Sequence, residues 1–352
     1  YRAIRLHDAS QHNLASHDYF QSRFHPNVID GAQKACEKYG SGSGASPLLS
    51  GFLPCHKDLL DEILSWKQKQ FGMLFNSGFV ANQAILKHLP GKKDLVLADR
   101  LIHHSLAQAL LQCPAKFKRY GHLDIAELEN LLERHKKDFE TIFVVTESVF
   151  SMDGDYPNLK TLVNLKNKFS FVLVLDEAHG TGVFGKNGGG LAEEMGVLPE
   201  VDILMGTLGK SLASMGAYVL ANNASIIEYL TNVAGEYIYS TFLPPSQAGA
   251  ALEAIRLIKD YDKQRNKLRN LSKFFRNALD QQKQEFESPI IPILIGDPKE
   301  TMVLRDRLLE NGILVGAVRP PTVPGETSRL RISLHSDVDE ALIDELLNLL
   351  NT

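Results

Sequence analysis

Three side chains suited to covalent and acid–base work leave the ends of two consecutive apolar runs: Asp176, His179 and Lys210. Asp176 closes the run Phe171–Leu175, and His179 follows three residues later. The next run, Asp202–Met205, leads into Thr207 and Lys210. If both runs are strands of one parallel sheet, these groups emerge at its carboxyl edge, where open α/β sheets bind ligands. A buried Lys loses its proton more readily and becomes a nucleophile toward aldehydes. A carboxylate beside a heteroaromatic nitrogen stabilises the protonated ring. A Schiff-base Lys and an Asp for the ring nitrogen are the groups that pyridoxal phosphate requires of a protein. Each residue alone also has a plain reading, as a helix cap, a loop imidazole or a solvated amine. The order of the three favours the chemical one.

Such a cofactor also needs a phosphate site. Asn76-Ser77-Gly78-Phe79 lies between the strand candidate Met73–Phe75 and the helix pattern Val80–Leu89. A Ser-Gly turn at a helix start offers free N–H groups and the positive end of a dipole. Three other Gly-rich stretches fail on context. Gly40–Ala45 matches GxGxxA but follows the helix-like Gln33–Tyr39 instead of a strand. Gly180–Lys186 matches GxxxxGK, yet Asn187 stands where a P-loop needs Ser or Thr for Mg²⁺. Gly206–Ser211 ends in GKS with its glycines too close together.

The elements that position these residues alternate. Strand candidates are Met73–Phe75, Leu95–Ala98, Thr141–Thr146, Phe171–Leu175, Asp202–Met205 and Ala217–Ala221, mostly continuous apolar runs. Continuous runs indicate strands buried on both faces. Helical patterns fall between them, at Lys57–Gln70 and at Asp124–His135, where Asp124 and Glu127 are spaced as a capping box. The expected architecture is α/β around a mainly parallel sheet. After about Gln247 the pattern changes. A helical, charged stretch runs to Leu279, then come apolar segments Pro289–Ile295, Ile313–Val318 and Leu330–Leu334 with helices at Thr301–Asn311 and Val338–Leu350. This predicts a smaller C-terminal α+β domain, with an N-terminal segment at 1–34, a large domain at 35–255 and a small one at 256–352. The charged run Lys259–Arg276 reads as a solvated helix face, and Gly188-Gly189-Gly190 as a hinge.

Composition removes other classes. The chain has 352 residues, 44% hydrophobic and 23% charged, the balance of a globular protein of about two domains. A net charge of −4 gives no general electrostatic reason to bind nucleic acid. Cys36, Cys55 and Cys113 form no CxxC pair, which argues against a zinc ribbon or disulfide framework. The 12 His contain no HExxH pattern, so no metal is expected. No uncharged apolar run approaches the ~20 residues of a membrane span, and no signal-peptide core opens the chain. A cytoplasmic protein is expected.

Eight stretches then carry a more specific likeness: Gly40-Ser-Gly-Ser-Gly-Ala-Ser46, Asn76-Ser-Gly-Phe-Val-Ala-Asn-Gln83, Ala98-Asp-Arg-Leu-Ile-His103, Thr146-Glu-Ser-Val-Phe-Ser-Met-Asp-Gly-Asp155, Asp176-Glu-Ala-His-Gly-Thr-Gly182, Gly206-Thr-Leu-Gly-Lys210, Tyr239-Ser-Thr-Phe-Leu-Pro-Pro245 and Arg319-Pro-Pro-Thr-Val-Pro324. In order and along nearly the whole chain, they resemble the α-oxoamine synthase family of fold-type I pyridoxal-phosphate enzymes. The last stretch favours the biotin-synthesis branch. The resemblance implies a large domain with a mainly parallel seven-stranded sheet, and a homodimer with shared active sites. It implies that Lys210 forms the Schiff base, Asp176 pairs with the pyridine nitrogen, His179 bonds the ring hydroxyl and His103 stacks on the ring. Ser77, Gly78, Phe79 and Thr207 would hold the phosphate, with Ser240 and Thr241 reaching it from the neighbouring subunit. Ser151 would lie near the cofactor's edge. Arg331, with Arg319 as second candidate, would hold the amino-acid carboxylate, a role that suits a planar guanidinium.

The implied reaction is a decarboxylative condensation of L-alanine with pimeloyl-CoA or a pimeloyl carrier protein. Two features depart from the family. His17 occupies a position where Asn is usual, at the substrate end, and the N-terminal part looks short. These leave room for a sister synthase that uses glycine or serine with another acyl-CoA, or for a protein that holds the cofactor without catalysis.

Overall fold

The computed structural model describes residues 12–279 and 286–351, together with Ile4 and Leu6. Most of the first eleven residues of the expected 1–34 segment lie outside the described residues. Along the described chain the strands are β1 (His12–Asn13), β2 (Phe71–Phe75), β3 (Leu95–Asp99), β4 (Lys116–Tyr120), β5 (Ile142–Glu147), β6 (Val172–Asp176), β7 (Ile203–Thr207), β8 (Ala217–Ala221), β9 (Ile290–Gly296), β10 (Ile313–Leu314), β11 (Gly316–Val318) and β12 (Ser328–Ser333). Two compact units result. One holds Gln21–Phe150 and Tyr156–Arg265, the other Tyr1–Phe20, Ser151–Asp155 and Asn266–Thr352. This division falls after Arg265, where the sequence pattern placed a boundary near residue 255.

The larger unit is built on a seven-stranded sheet of order β2-β8-β7-β6-β5-β3-β4, in which β8 alone runs antiparallel. Every residue of β3, β5 and β8 is buried. Helices on both faces of a parallel sheet require this, and it is why these strands read as unbroken apolar runs. Each of the six strands expected here overlaps an observed one, and three of them, expected from Thr141, Phe171 and Asp202, begin one residue later. β4 escapes the pattern: Lys116-Phe-Lys-Arg-Tyr120 exposes its first four residues at the sheet edge. Charged edge strands of this kind resist pairing with other chains.

Local chemistry sets the helix boundaries. Ser77 caps the helix Gly78–His88 by accepting the Val80 N–H, 3.3 Å away. Asp124 accepts the Glu127 N–H at 2.8 Å, as its spacing predicts, but Glu127 reaches back to the Gly121 N–H instead of to the cap. Only half of the expected capping box forms. Helices Pro26–Tyr39 and Pro245–Lys259 cross at Gly31 and Gly249. A Cβ on Gly249 would lie 2.3 Å from the Gly31 carbonyl oxygen, so the crossing excludes a side chain there.

The smaller unit has an antiparallel sheet of order β11-β12-β9 and a short parallel pair, β1 with β10. Helices Pro298–Glu310 and Glu340–Asn351 complete an α+β unit. The charged helix Asp262–Ala278 is not simply a solvated face. Arg276 is buried, with Nη2 donating to the Ile290 carbonyl at 2.6 Å. In the larger unit, buried Arg265 donates to the carbonyls of Ile258 and Lys186 at 2.5 Å. A guanidinium spans several backbone acceptors at once, which lets these two charges enter the interior.

Candidate active site

At the carboxyl edge of the large sheet the strand ends surround an open cleft. Seven residues expected at the site line it: Gly78, Phe79, His103, Asp176, His179, Thr207 and Lys210. Asp176 is the last residue of β6, and parallel pairing with β5 and β7 carries it to this edge. It is almost fully buried. Its Oδ1 accepts the Ala178 N–H at 2.9 Å, and its Oδ2 accepts from Asn82 Nδ2 at 2.8 Å. Both bonds favour the charged carboxylate.

His103 caps the helix His104–Gln112. Its Nδ1 accepts the Ser105 N–H at 3.2 Å and lies 2.8 Å from Ser105 Oγ. Ser105 Oγ in turn accepts from Asn82 Nδ2 at 2.9 Å, so its own proton points to His103. This network assigns the His103 proton to Nε2. Burial pushes the imidazole below its ordinary range, with Lys210 and His104 acting in the same direction and Asp176 opposing. A neutral ring with fixed orientation suits stacking against a flat ligand.

Asn82, Ser105 and Glu147 also line the cleft, and none was singled out from the sequence. Asn82 and Glu147 lie inside quoted motifs, but their place beside Asp176 depends on strand register and helix rotation. Glu147 ends β5 as the register partner of Asp176. One of its oxygens accepts the His103 N–H.

Behind Asp176 a second polar cluster is wholly enclosed. Lys67 Nζ donates to Glu177 Oε2 at 2.9 Å, Thr181 Oγ1 at 3.0 Å and the Gly189 carbonyl at 2.6 Å. Neither partner of the ion pair is exposed. Gly188-Gly189-Gly190, expected as a hinge, is buried against this cluster. Gly190 has φ +107, and a Cβ there would lie 2.1 Å from Glu177 Cδ.

At the other end of the cleft, Gly78 and Phe79 open the helix capped by Ser77. Their N–H groups precede the first intrahelical bond, which runs from Ala81 to Ser77. A Cβ on Gly78 would meet Met205 and Thr207 at 3.7–3.8 Å, an ordinary contact distance. Thr207 Oγ1 accepts the Gly209 N–H at 3.1 Å. Ser77 caps the helix without lining the cleft. Ser240 and Thr241 also stand apart from its lining, held to Asn76 Nδ2 at 2.8 Å and 2.7 Å through the Ser240 hydroxyl and the Thr241 carbonyl.

The remaining expected residues belong to the smaller unit. Arg331, on β12, is almost fully buried. Its Nε donates to the Ser151 carbonyl at 2.5 Å and its Nη1 to Ser333 Oγ at 2.8 Å. Nη1 also lies 3.0 Å from His17 Nε2. Among the described residues Nη2 is buried with no hydrogen-bond partner. Beside it, Tyr19 is pushed up to about 12 by burial, with Arg331 opposing. Arg319 is half-buried just beyond β11.

The donor set of the cleft fits pyridoxal phosphate. A buried carboxylate, a lysine from the neighbouring strand end, a neutral histidine and a helix N-terminus match the ring nitrogen, aldehyde, ring face and phosphate. Among the described residues the Asn82 Oδ1 in the same cleft is buried and unpartnered, as expected where a polar ligand belongs.

Known proteins are similar to this chain along most of its length. The family model for aminotransferase class I and II matches residues 9–350. The chain is 42% identical over 336 residues to the 8-amino-7-oxononanoate synthase of Geobacter metallireducens, covering 93% of this chain and 85% of that protein. Among solved structures it is similar to a serine palmitoyltransferase with its PLP internal aldimine, at TM-score 0.90 and 29% identity over 96% of this chain and 86% of that one. It is also similar to an 8-amino-7-oxononanoate synthase from Francisella tularensis, at TM-score 0.82 and 30% identity over 97% of each chain.

Proposed function

The chain belongs to the aminotransferase class I and II family, in its α-oxoamine synthase branch, and on that premise we propose that it catalyses the 8-amino-7-oxononanoate synthase reaction. L-alanine and a pimeloyl thioester yield 8-amino-7-oxononanoate, CO₂ and the free thiol, a step of biotin synthesis. The identity of 42% to a synthase of this specificity, across 93% of the chain, carries the reading. The higher TM-score to serine palmitoyltransferase reports backbone placement, which sister synthases share, at only 29% identity.

Pyridoxal phosphate, when bound, supplies the electron sink that makes the amino acid's Cα acidic. Lys210 would hold its aldehyde and, as a free amine, would take and return the Cα proton. Asp176 would hold the ring nitrogen by its charge, His179 would bind the ring hydroxyl and His103 would pack against the ring. Gly78, Phe79 and Thr207 receive the phosphate. In the proposed homodimer Ser240 and Thr241 reach the phosphate of the neighbouring copy. Arg331 takes the amino-acid carboxylate, with Arg319 the alternative. Ser151 contributes near the cofactor's edge.

A cytoplasmic location is part of this proposal. Among the described residues no helix is long and apolar enough to cross a membrane.

Borohydride reduction of the cofactor-loaded protein, followed by peptide mapping, is expected to mark Lys210. Product analysis with L-alanine, glycine or serine against pimeloyl-, acetyl-, succinyl- and palmitoyl-CoA tests specificity. Turnover with another pair and none with alanine and pimeloyl-CoA would reassign the chain to a sister synthase. Absence of product with every pair would leave a cofactor-holding protein.

A further inference from the structure

Glu147 has no role in the reaction as drawn above, yet it is among the most constrained groups of the cleft. It is 3% exposed, ends β5 and is the register partner of Asp176 on β6. Paired strands lie ~4.8 Å apart, and both side chains face the same cleft. Two carboxylates that share a buried site do not both ionise readily.

Hydrogen bonding decides which of them keeps the proton. Asp176 accepts two N–H groups, from Asn82 and Ala178. Glu147 accepts the His103 N–H at one oxygen. The carbonyl oxygen of a neutral carboxyl can accept that bond, and the second oxygen is then free to carry the proton.

We propose that Glu147 is a positioning residue that keeps its proton, pins the His103 backbone as a neutral acceptor, and so confines the negative charge beneath the cofactor to Asp176. The charged groups that face it argue for this state in sum. Burial and then Asp176 push Glu147 well above the carboxyl range, Asp99 on β3 adds to them, and the His103 N–H and Lys210 oppose. His103 itself is neutral, so it brings no compensating charge. The consequence for the site is directional. Asp176 remains the one anion opposite the ring nitrogen, and His103 is held at its backbone by Glu147 and at its ring by Ser105.

The state of Glu147 rests on the cofactor reading only for its purpose, and it can be tested separately. Infrared difference spectra between the full-length protein and Glu147→Gln, at neutral pH with and without pyridoxal phosphate, are expected to show a protonated carboxyl C=O band lost in the variant. A group raised on folding costs stability as pH rises above the ordinary carboxyl range. Glu147→Gln is therefore expected to melt above the parent protein at pH 8, and this gap should close near pH 4. Titration with pyridoxal phosphate should show affinity falling on the alkaline side in the parent protein and a flat profile in Glu147→Gln. Glu147→Leu, which removes the acceptor, is expected to weaken cofactor affinity by about tenfold. An absent carboxyl band would overturn the proposal, as would a lower melting temperature of Glu147→Gln at pH 8. A band present in a protein that makes no 8-amino-7-oxononanoate would leave Glu147 as assigned and remove the substrate reading alone.

Discussion

Asn82 Nδ2 stands 2.8 Å from Asp176 Oδ2 and 2.9 Å from Ser105 Oγ, so one amide group ties the carboxylate to the histidine network. Both of its protons are committed, one to Asp176 and one to Ser105. Asn82→Asp keeps the shape and replaces the donor with an acceptor. Two oxygens at that separation must share a proton, which removes charge from Asp176. Cofactor affinity is expected to fall on the order of tenfold or more, the scale of a lost hydrogen bond to a charged group. Absorbance titration with pyridoxal phosphate measures it, and an unchanged affinity would show that Asp176 does not depend on this amide.

Arg331 has no acceptor of its own, so His17 Nε2 must accept from its Nη1 and be unprotonated there. With Nε and Nη1 committed, the buried Nη2 is the part of the guanidinium left for a carboxylate. His17→Asn supplies another neutral acceptor, whereas His17→Leu supplies none. The Leu variant is expected to raise KM for L-alanine by about tenfold and the Asn variant by much less. Equal KM values in all three proteins would remove His17 from the substrate end.

The Lys67–Glu177 pair has no solvent to fall back on. Burial works most strongly against the Lys67 charge, yet Glu177 and Tyr218 together outweigh it and hold the ammonium above its ordinary range. The Trp66 ring, 4.9 Å from Nζ, adds a cation–π contact. Lys67→Met strands the Glu177 charge and is expected to cost about 3–5 kcal/mol. The double variant Lys67→Met with Glu177→Gln should recover part of that loss. Urea unfolding midpoints provide the comparison, and additive losses would mean that the two residues act independently.

His56 gives the fold an acid-sensitive point away from the cleft. It is fully buried, its Nδ1 accepts the Leu53 N–H at 2.9 Å, and its Nε2 lies 2.7 Å from the Leu243 carbonyl. These partners require the neutral ring with its proton on Nε2. Burial sets the imidazole below its ordinary range, so the folded state binds fewer protons than the unfolded one. This contribution is complete above the ordinary imidazole range and is lost as pH falls through it to the lower folded value. Melting temperature is expected to drop on acidification from pH 7 to 5, with a shallower slope in His56→Gln. Parallel slopes would assign the acid sensitivity to other groups.

Much of this site is legible as strings. Asp176 and Lys210 follow apolar runs, and a reader who identifies the strands can place both at one sheet edge. Asn82 and Glu147 are not legible in that way, because their roles arise from neighbours: a helix rotated toward β6, and a register that sets Glu147 beside Asp176. β4 was missed for a different reason. An exposed edge strand has no buried face and therefore leaves no apolar run. Arg265 and Arg276 mislead in the opposite sense. Charge normally marks solvent, and only their backbone acceptors explain their burial.

The place of β8 between β2 and β7 has a consequence for how the chain is made. Of the strands in this sheet, β2 leaves the ribosome first and β8 last, and among the described residues β8 is the only neighbour that β2 has. At ~5–20 residues per second, roughly 7–30 s separate Phe75 from Ala217. For that interval Phe71-Gly-Met-Leu-Phe75 sits in the nascent chain with its N–H and C=O groups unpaired. Factors that shield emerging apolar segments have their clearest work here, well before the strand ends that carry Lys210 and Asp176 have met.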